Sequence, residues 1–149
     1  MSQKKRSSRL KVVLDLAEKR KKDAERFLAE HIQRVEADKQ QLLQLEQYLS
    51  EYQQSYRQAS SQGLSVDQLL NYQAFMNKIS VAIEQHKKSM VMNQKQLEHV
   101  KQYWAQMHGK HKAIDSLILN ALDAEARVVD KALQKQLDER SQLNKINYI

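Results

Sequence analysis

The sequence predicts an all-α protein, a long antiparallel two-helix coiled-coil hairpin, and three observations predict it. The 149 residues include no proline and only two glycines, and most of the abundant types (Gln, Leu, Lys, Ala, Glu, Ser) are good helix formers. Apolar residues recur every three or four positions along two long stretches, the 3.5-residue period of a coiled coil. Between those stretches lies one credible break, Ser60-Ser61-Gln62-Gly63-Leu64-Ser65. The expected organisation is a single coiled-coil domain over 1–149: helix 1 at about 8–60, a tight loop at about 61–65, helix 2 at about 66–142, then a frayed C-terminus.

The chain begins basic. Through Lys22 there are nine basic side chains (Lys4, Lys5, Arg6, Arg9, Lys11, Lys19, Arg20, Lys21, Lys22) against Asp15 and Glu18, and from Asp23 onward sixteen of each sign. The whole net charge of +7 therefore sits at one end of one arm. Two readings stand: a solvated face with a basic tail, or a surface for an anionic partner. Residues 1–9 precede only the short apolar patch Val12-Val13-Leu14, with Asp15 and Glu18 close behind, so neither a signal peptide nor a membrane span is expected. The absence of cysteine removes disulfides and thiolate metal sites and fits a reducing compartment.

On the first arm, alternate steps of three and four trace the seam Leu14, Ala17, Lys21, Ala24, Leu28, His31, Val35, Asp38, Leu42, Leu45, Leu49, Tyr52 and Tyr56, polar only at Lys21, His31 and Asp38. At the break, Gly63 supplies a residue able to take positive φ after a helix. Ser65 heads Ser-Val-Asp-Gln, a capping box with Gln68 at N3, and Leu64 and Leu69 fill the positions of a hydrophobic staple. The second arm carries the seam Leu69, Tyr72, Met76, Ile79, Ile83, His86, Met90, Asn93, Leu97, Val100, Trp104, Met107, His111, Ile114, Ile118 and Ala121. An arm with such a stripe needs a partner helix, and a loop of about six residues makes the other arm the nearest one.

With the reversal centred near Gln62, residue i faces roughly residue 125 − i, so Leu49 meets Met76, Leu42 meets Ile83, Val35 meets Met90 and Leu28 meets Leu97. The first helix would be on the order of 75 Å long and the second on the order of 110 Å, so the second overhangs. From about Asp123 the apolar positions Val128, Val129, Ala132, Leu133 and Leu137 are expected to have no first-arm residues to face. Gly109 is read as a weak point or local bend, because glycine costs about 1 kcal/mol inside a helix.

The search for reaction chemistry is negative. No Gly-rich phosphate loop, His-Glu-x-x-His, Cys-His cluster or nucleophile elbow occurs. His108 and His111 share a helix face, but lysines are their neighbours where a bundle metal site would add carboxylates. A two-helix hairpin also has no concave interior in which to bury a reaction centre. The expectation is a non-enzyme with no catalytic residues, metal, cofactor or small-molecule substrate.

A second stripe accompanies each seam. Gln41, Leu45, Tyr48 and Tyr52 are spaced i, i+4, i+7, i+11 on the first arm, and Phe75, Ile79, Ala82 and His86 have the same spacing on the second. Tyr48 and Phe75 are expected to be partly exposed. The stripes are either a core wider than two positions per heptad or an aromatic-anchored docking face.

At these residues the sequence resembles a known family. The run Leu14-Asp15-Leu16-Ala17-Glu18-Lys19, the stretch 41–52, Asn71-Tyr72-Gln73-Ala74-Phe75 continuing to Ala82-Ile83-Glu84-Gln85-His86, and Trp104 are similar to the FliJ family of flagellar type III export proteins. The similarity covers nearly the whole chain, and Asn-Tyr-Gln-x-Phe followed eleven residues later by His86 is its most specific part. Two departures are visible: Ile79 stands where the best-known members have leucine, and Lys4-Lys5-Arg6 is more basic than the family pattern.

The resemblance implies a hairpin similar to the central stalk, or gamma subunit, of rotary ATPases. It implies a stalk in the hexameric flagellar export ATPase that reaches the cytoplasmic domain of the export-gate membrane protein and escorts flagellar export chaperones. Carried over by position, the gate-binding residues would be Gln41, Leu45, Tyr48, Tyr52, Phe75, Ile79, Ala82 and His86. For the ATPase, the basic end and the overhang nominate Arg9, Lys11, Lys19, Arg20, Lys21, Lys22, Val128 and Leu133. The implied location is cytoplasmic, peripheral to the inner membrane at the flagellar base. The alternatives are a nucleic-acid-binding helical protein, a coiled coil that only self-associates, and the equivalent stalk of a virulence type III system. The first fits less well, because the basic cluster lacks the aromatic residues of a stacking platform.

Overall fold

The computed structural model describes residues 5–147. Lys4 of the basic cluster, and Tyr148 and Ile149 of the stretch expected to fray, lie outside the described residues. Helix α1 runs Arg6–Gln62 and helix α2 runs Val66–Ile146, and the two pack against each other as an antiparallel helical hairpin. The described residues contain no strand.

The seam explains the packing. Every seam position on both arms is buried or partly covered, while most positions between them are exposed. Coverage is thin, however: among the described residues only Ala17, Ala24, Ile79, Ile83, Leu97, Met107, Ile118 and Ala121 are buried apolar residues, and no large side chain is completely enclosed. That is the expected outcome for two helices sharing one apolar stripe each.

The reversal is built as the local residues dictate. Gly63 has φ of +91°, and its N–H donates to the Ser60 carbonyl at 3.3 Å. In the capping box the Gln68 N–H donates to Ser65 Oγ and the Ser65 N–H to Gln68 Oε1, each at 3.2 Å. The Ser65 carbonyl accepts the first bond of α2 from Leu69 N–H at 3.0 Å. Gly109, by contrast, lies inside an uninterrupted α2. No proline or further glycine follows it, and α2 continues to Ile146, past the expected stop near 142.

The hairpin divides into two compact units. The loop unit is Ala24–Trp104; the termini unit combines Met1–Asp23 with Ala105–Ile149. In the loop unit the buried residues are Ala24, Ile79, Ile83 and Leu97; in the termini unit they are Ala17, Met107, Ile118, Ala121 and Ser7. In the termini unit Glu125, two residues past the expected start of the overhang near Asp123, still reaches Ser7 with both carboxylate oxygens. Side chains on a helix lean toward its N-terminus, so Glu125 covers a level of α1 that its own position would overshoot. Beyond Glu125 every described residue of α2 is exposed.

Candidate partner-binding surfaces

In the loop unit the two candidate stripes meet in a cluster of rings. Tyr52 and Phe75 have centroids 4.5 Å apart, Tyr48 stands edge-on to Phe75 at 6.0 Å, and Tyr48 and Tyr52 are 6.3 Å apart. The cluster continues through Tyr72, 5.4 Å from Tyr52 and 5.7 Å from Tyr56. Such tilted and edge-on arrangements suit the aromatic quadrupole. Tyr48 is 47% exposed and Gln41 is exposed, while Leu45, Tyr52, Phe75, Ala82 and His86 are partly covered. Ile79 is 6% exposed, so it belongs to the buried core and not to the open surface of the stripe. The structure thus brings the aromatic members of both stripes together.

Tyr56 and Tyr72 were legible only as seam residues; their membership of the ring cluster depends on how the arms pair. The same holds for a polar layer at one margin of the face. His86 Nε2–H donates to the Asp38 carbonyl at 2.8 Å, and Asn93 Nδ2–H donates to Asp38 Oδ2 at 2.7 Å. The sequence signal was present, since Asp38, His86 and Asn93 are three of the six polar exceptions in the seams. Another exception, His31, finds its partner within its own helix, the Phe27 carbonyl at 2.9 Å.

The termini unit carries the second set. Arg9, Lys11, Lys19, Arg20 and Lys22 are exposed, and Lys21, a seam residue, is partly covered along its aliphatic stem. Lys22 lies 3.7 Å from Glu18 in an exposed i,i+4 pair, which contributes little to stability. Val128 and Leu133 are 67% and 57% exposed. A shallow apolar groove of about 70 Å³ runs between Val13, Leu16 and Ala17 of α1 and Met107 and Ile114 of α2, flanked by Arg20 and Lys110. A larger open hollow of about 350 Å³ lies between Arg6 and the apolar side chains of Leu117, Ala124 and Val128.

Glu125 anchors the start of α1 there. Lys5, whose carbonyl accepts the first helical bond from Arg9 N–H at 3.2 Å, has no side-chain oxygen with which to cap the helix. Glu125 supplies that cap from the other arm, accepting the Ser7 N–H at 3.1 Å and the Ser7 hydroxyl at 2.8 Å. Its carboxyl is held below the usual value, first by the Ser7 backbone bond, then by the Ser7 hydroxyl; partial burial opposes this, and Lys5 and Lys11 add attraction.

Among the described residues no three His, Cys, Asp or Glu side chains gather as a metal site, and no helix is long and apolar enough to cross a membrane. The family model for flagellar FliJ protein matches residues 6–147. The chain belongs to the FliJ family. Among its relatives, the flagellar FliJ proteins of Salmonella typhi and Escherichia coli K12 are each 27% identical over 133 residues, covering 89% of this chain and 90% of theirs. No solved structure matches. FliJ membership makes the protein a component of flagellar protein export, and the matched span contains both candidate surfaces.

Proposed function

We propose that this hairpin is a stalk-like adaptor of the flagellar export apparatus, resembling the central stalk of rotary ATPases. It engages the hexameric export ATPase through its termini unit and the cytoplasmic domain of the export-gate protein through its loop unit, and it escorts export chaperones. The observation that carries the reading is the ring cluster on α1 and α2. Aromatic side chains packed on one another and left partly open to solvent are the type of residue that anchors a protein interface. Gln41, Leu45, Tyr48, Tyr52, Phe75, Ala82 and His86 form this face, with Ile79 in the buried core.

For the ATPase, Arg9, Lys11, Lys19, Arg20, Lys21 and Lys22 offer charge, and Val128 and Leu133 offer apolar surface that no described residue covers. Nucleotide chemistry belongs to the partner, and the adaptor itself works without cofactor or metal. Its location in this reading is cytoplasmic, peripheral to the inner membrane at the flagellar base.

The direct test is binding of the gate's cytoplasmic domain by Tyr48→Ala and by Tyr48→Ala with Phe75→Ala. Both variants are expected to lose affinity, the double variant by more than about tenfold if these rings are anchors. Tyr48→Ala should melt within about 1 kcal/mol of the parent, because much of its ring is already in water. A loss of several kcal/mol with gate binding intact would instead make the stripe ordinary core.

A further inference from the structure

A seam of apolar residues at alternating three- and four-residue steps is nearly blind to sliding. If α2 shifted by one turn against α1, Leu42, Leu45 and Leu49 would meet Ile79, Met76 and Tyr72 in one direction and His86, Ile83 and Ile79 in the other, so His86 is the one polar partner encountered. A slip must also unwind residues beside the loop, whose capping box holds the register at that end of the hairpin alone. One-turn shifts of an element past its neighbour are a known mode of movement. Something other than the apolar pattern must select the register.

We infer that the Asp38–Asn93 pair is the register lock of the loop unit, and that it positions the two halves of the candidate gate-binding face. Asp38 stands between His86 and Asn93, which are one heptad apart on α2. A one-turn slip in one direction places Asp38 level with His86, between Ile83 and Met90, and in the other level with Asn93, between Met90 and Leu97. The first slip parts the carboxylate from the Asn93 amide and leaves a partly covered amide unpaired, while the second parts Asp38 from His86, so the carboxylate–amide pair opposes slippage chiefly in one direction. His86 discriminates less, because its acceptor is a backbone carbonyl, a group that every residue of α1 offers.

The placement gives the lock its consequence. On α1 the residues from Gln41 to Tyr52 lie between Asp38 and the capped loop, and on α2 those from Phe75 to His86 lie between that loop and Asn93. The face is therefore pinned at both margins, by the capping box on one side and by the carboxylate–amide pair on the other. A face drawn from two helices exists in only one register: a one-turn shift carries Phe75 away from Tyr48 and Tyr52.

The function of the lock rests on the gate-binding reading, but its existence does not, and the experiment separates them. The chain has no cysteine, so spin labels at Gln44→Cys and Lys78→Cys, both exposed positions of the loop unit, report the inter-arm distance alone. The background variant is Asp38→Leu with Asn93→Leu, which replaces no residue of the candidate face and keeps the Asp38 backbone carbonyl that His86 uses. It should stay helical and melt no lower than the parent, since an apolar layer replaces a polar one. Its distance distribution should broaden or split where the parent gives one narrow peak. Gate-domain affinity should fall in proportion to the fraction left in register, about twofold when half the molecules have slipped. Asp38→Asn with Asn93 left in place, which keeps an oxygen acceptor for that amide, should retain the single peak. An unchanged narrow distribution in the double-leucine variant overturns the lock, whatever happens to gate binding. A split distribution with unaltered gate affinity supports the lock and overturns its positioning role.

Discussion

At Gly63 the backbone has φ of +91°, and a Cβ there would meet no atom within 4 Å, so the glycine is required by conformation and not by space. Gly63→Ala should destabilise the hairpin by roughly 1–2 kcal/mol, the cost of holding an L-residue at positive φ. Gly109 is the opposite case: a Cβ again meets nothing, but the backbone is ordinary helix. Gly109→Ala should therefore stabilise by about 1 kcal/mol. Thermal melts of the two variants, run side by side, check both signs. The first of these residues was fully legible in the sequence, because a helix stop followed by a capping box is local chemistry. The second was legible only as a weak point; its effect on the helix depends on the packing of α2 on either side.

At the scale of the element, α1 begins without a capping side chain of its own or an acidic residue in its first turn, and Glu125 of α2 provides both functions. The pH dependence follows from the lowered pKa of Glu125. A folded-state value below the unfolded one means that the contribution is fully present above the unfolded value and is lost as pH falls through the folded value. The first turn of α1 should accordingly exchange its amide hydrogens faster on acidification through and below the carboxylate range. Glu125→Gln, which cannot ionise, should remove that pH response while weakening the cap at neutral pH. Amide exchange at Ser7 and its neighbours measures both. Nothing in the sequence pointed to this contact, because the partners lie 118 residues apart and neither belongs to a seam.

On the scale of the whole molecule, the proposed division of labour assigns one partner to each unit. Charge reversal at Lys19, Arg20 and Lys22, all exposed in the termini unit, should weaken binding to the export ATPase and its stimulation, most clearly at low salt, and leave gate binding intact. Deleting residues 1–22 should do the same more severely, since it also removes the α1 side chains covering Met107 and Ile114. Pull-downs with each partner, alongside circular dichroism to show that the hairpin persists, test the division. Loss of both interactions together in a folded protein would argue against it.

The fold class, the two seams, the loop chemistry and the family resemblance were all present in the sequence, because they rest on periodicity and on residues within one turn of each other. The two stripes were legible for the same reason. Only the pairing of the arms decided which side chains share a face: that Phe75 lies between Tyr48 and Tyr52, that Ile79 goes into the core, that Asp38 takes Asn93, and that Glu125 caps α1. A repeating apolar pattern specifies that two helices pack but is nearly degenerate in where they pack. The few polar groups that cannot be buried unpaired remove that degeneracy, and their partners become visible only once the helices are set side by side.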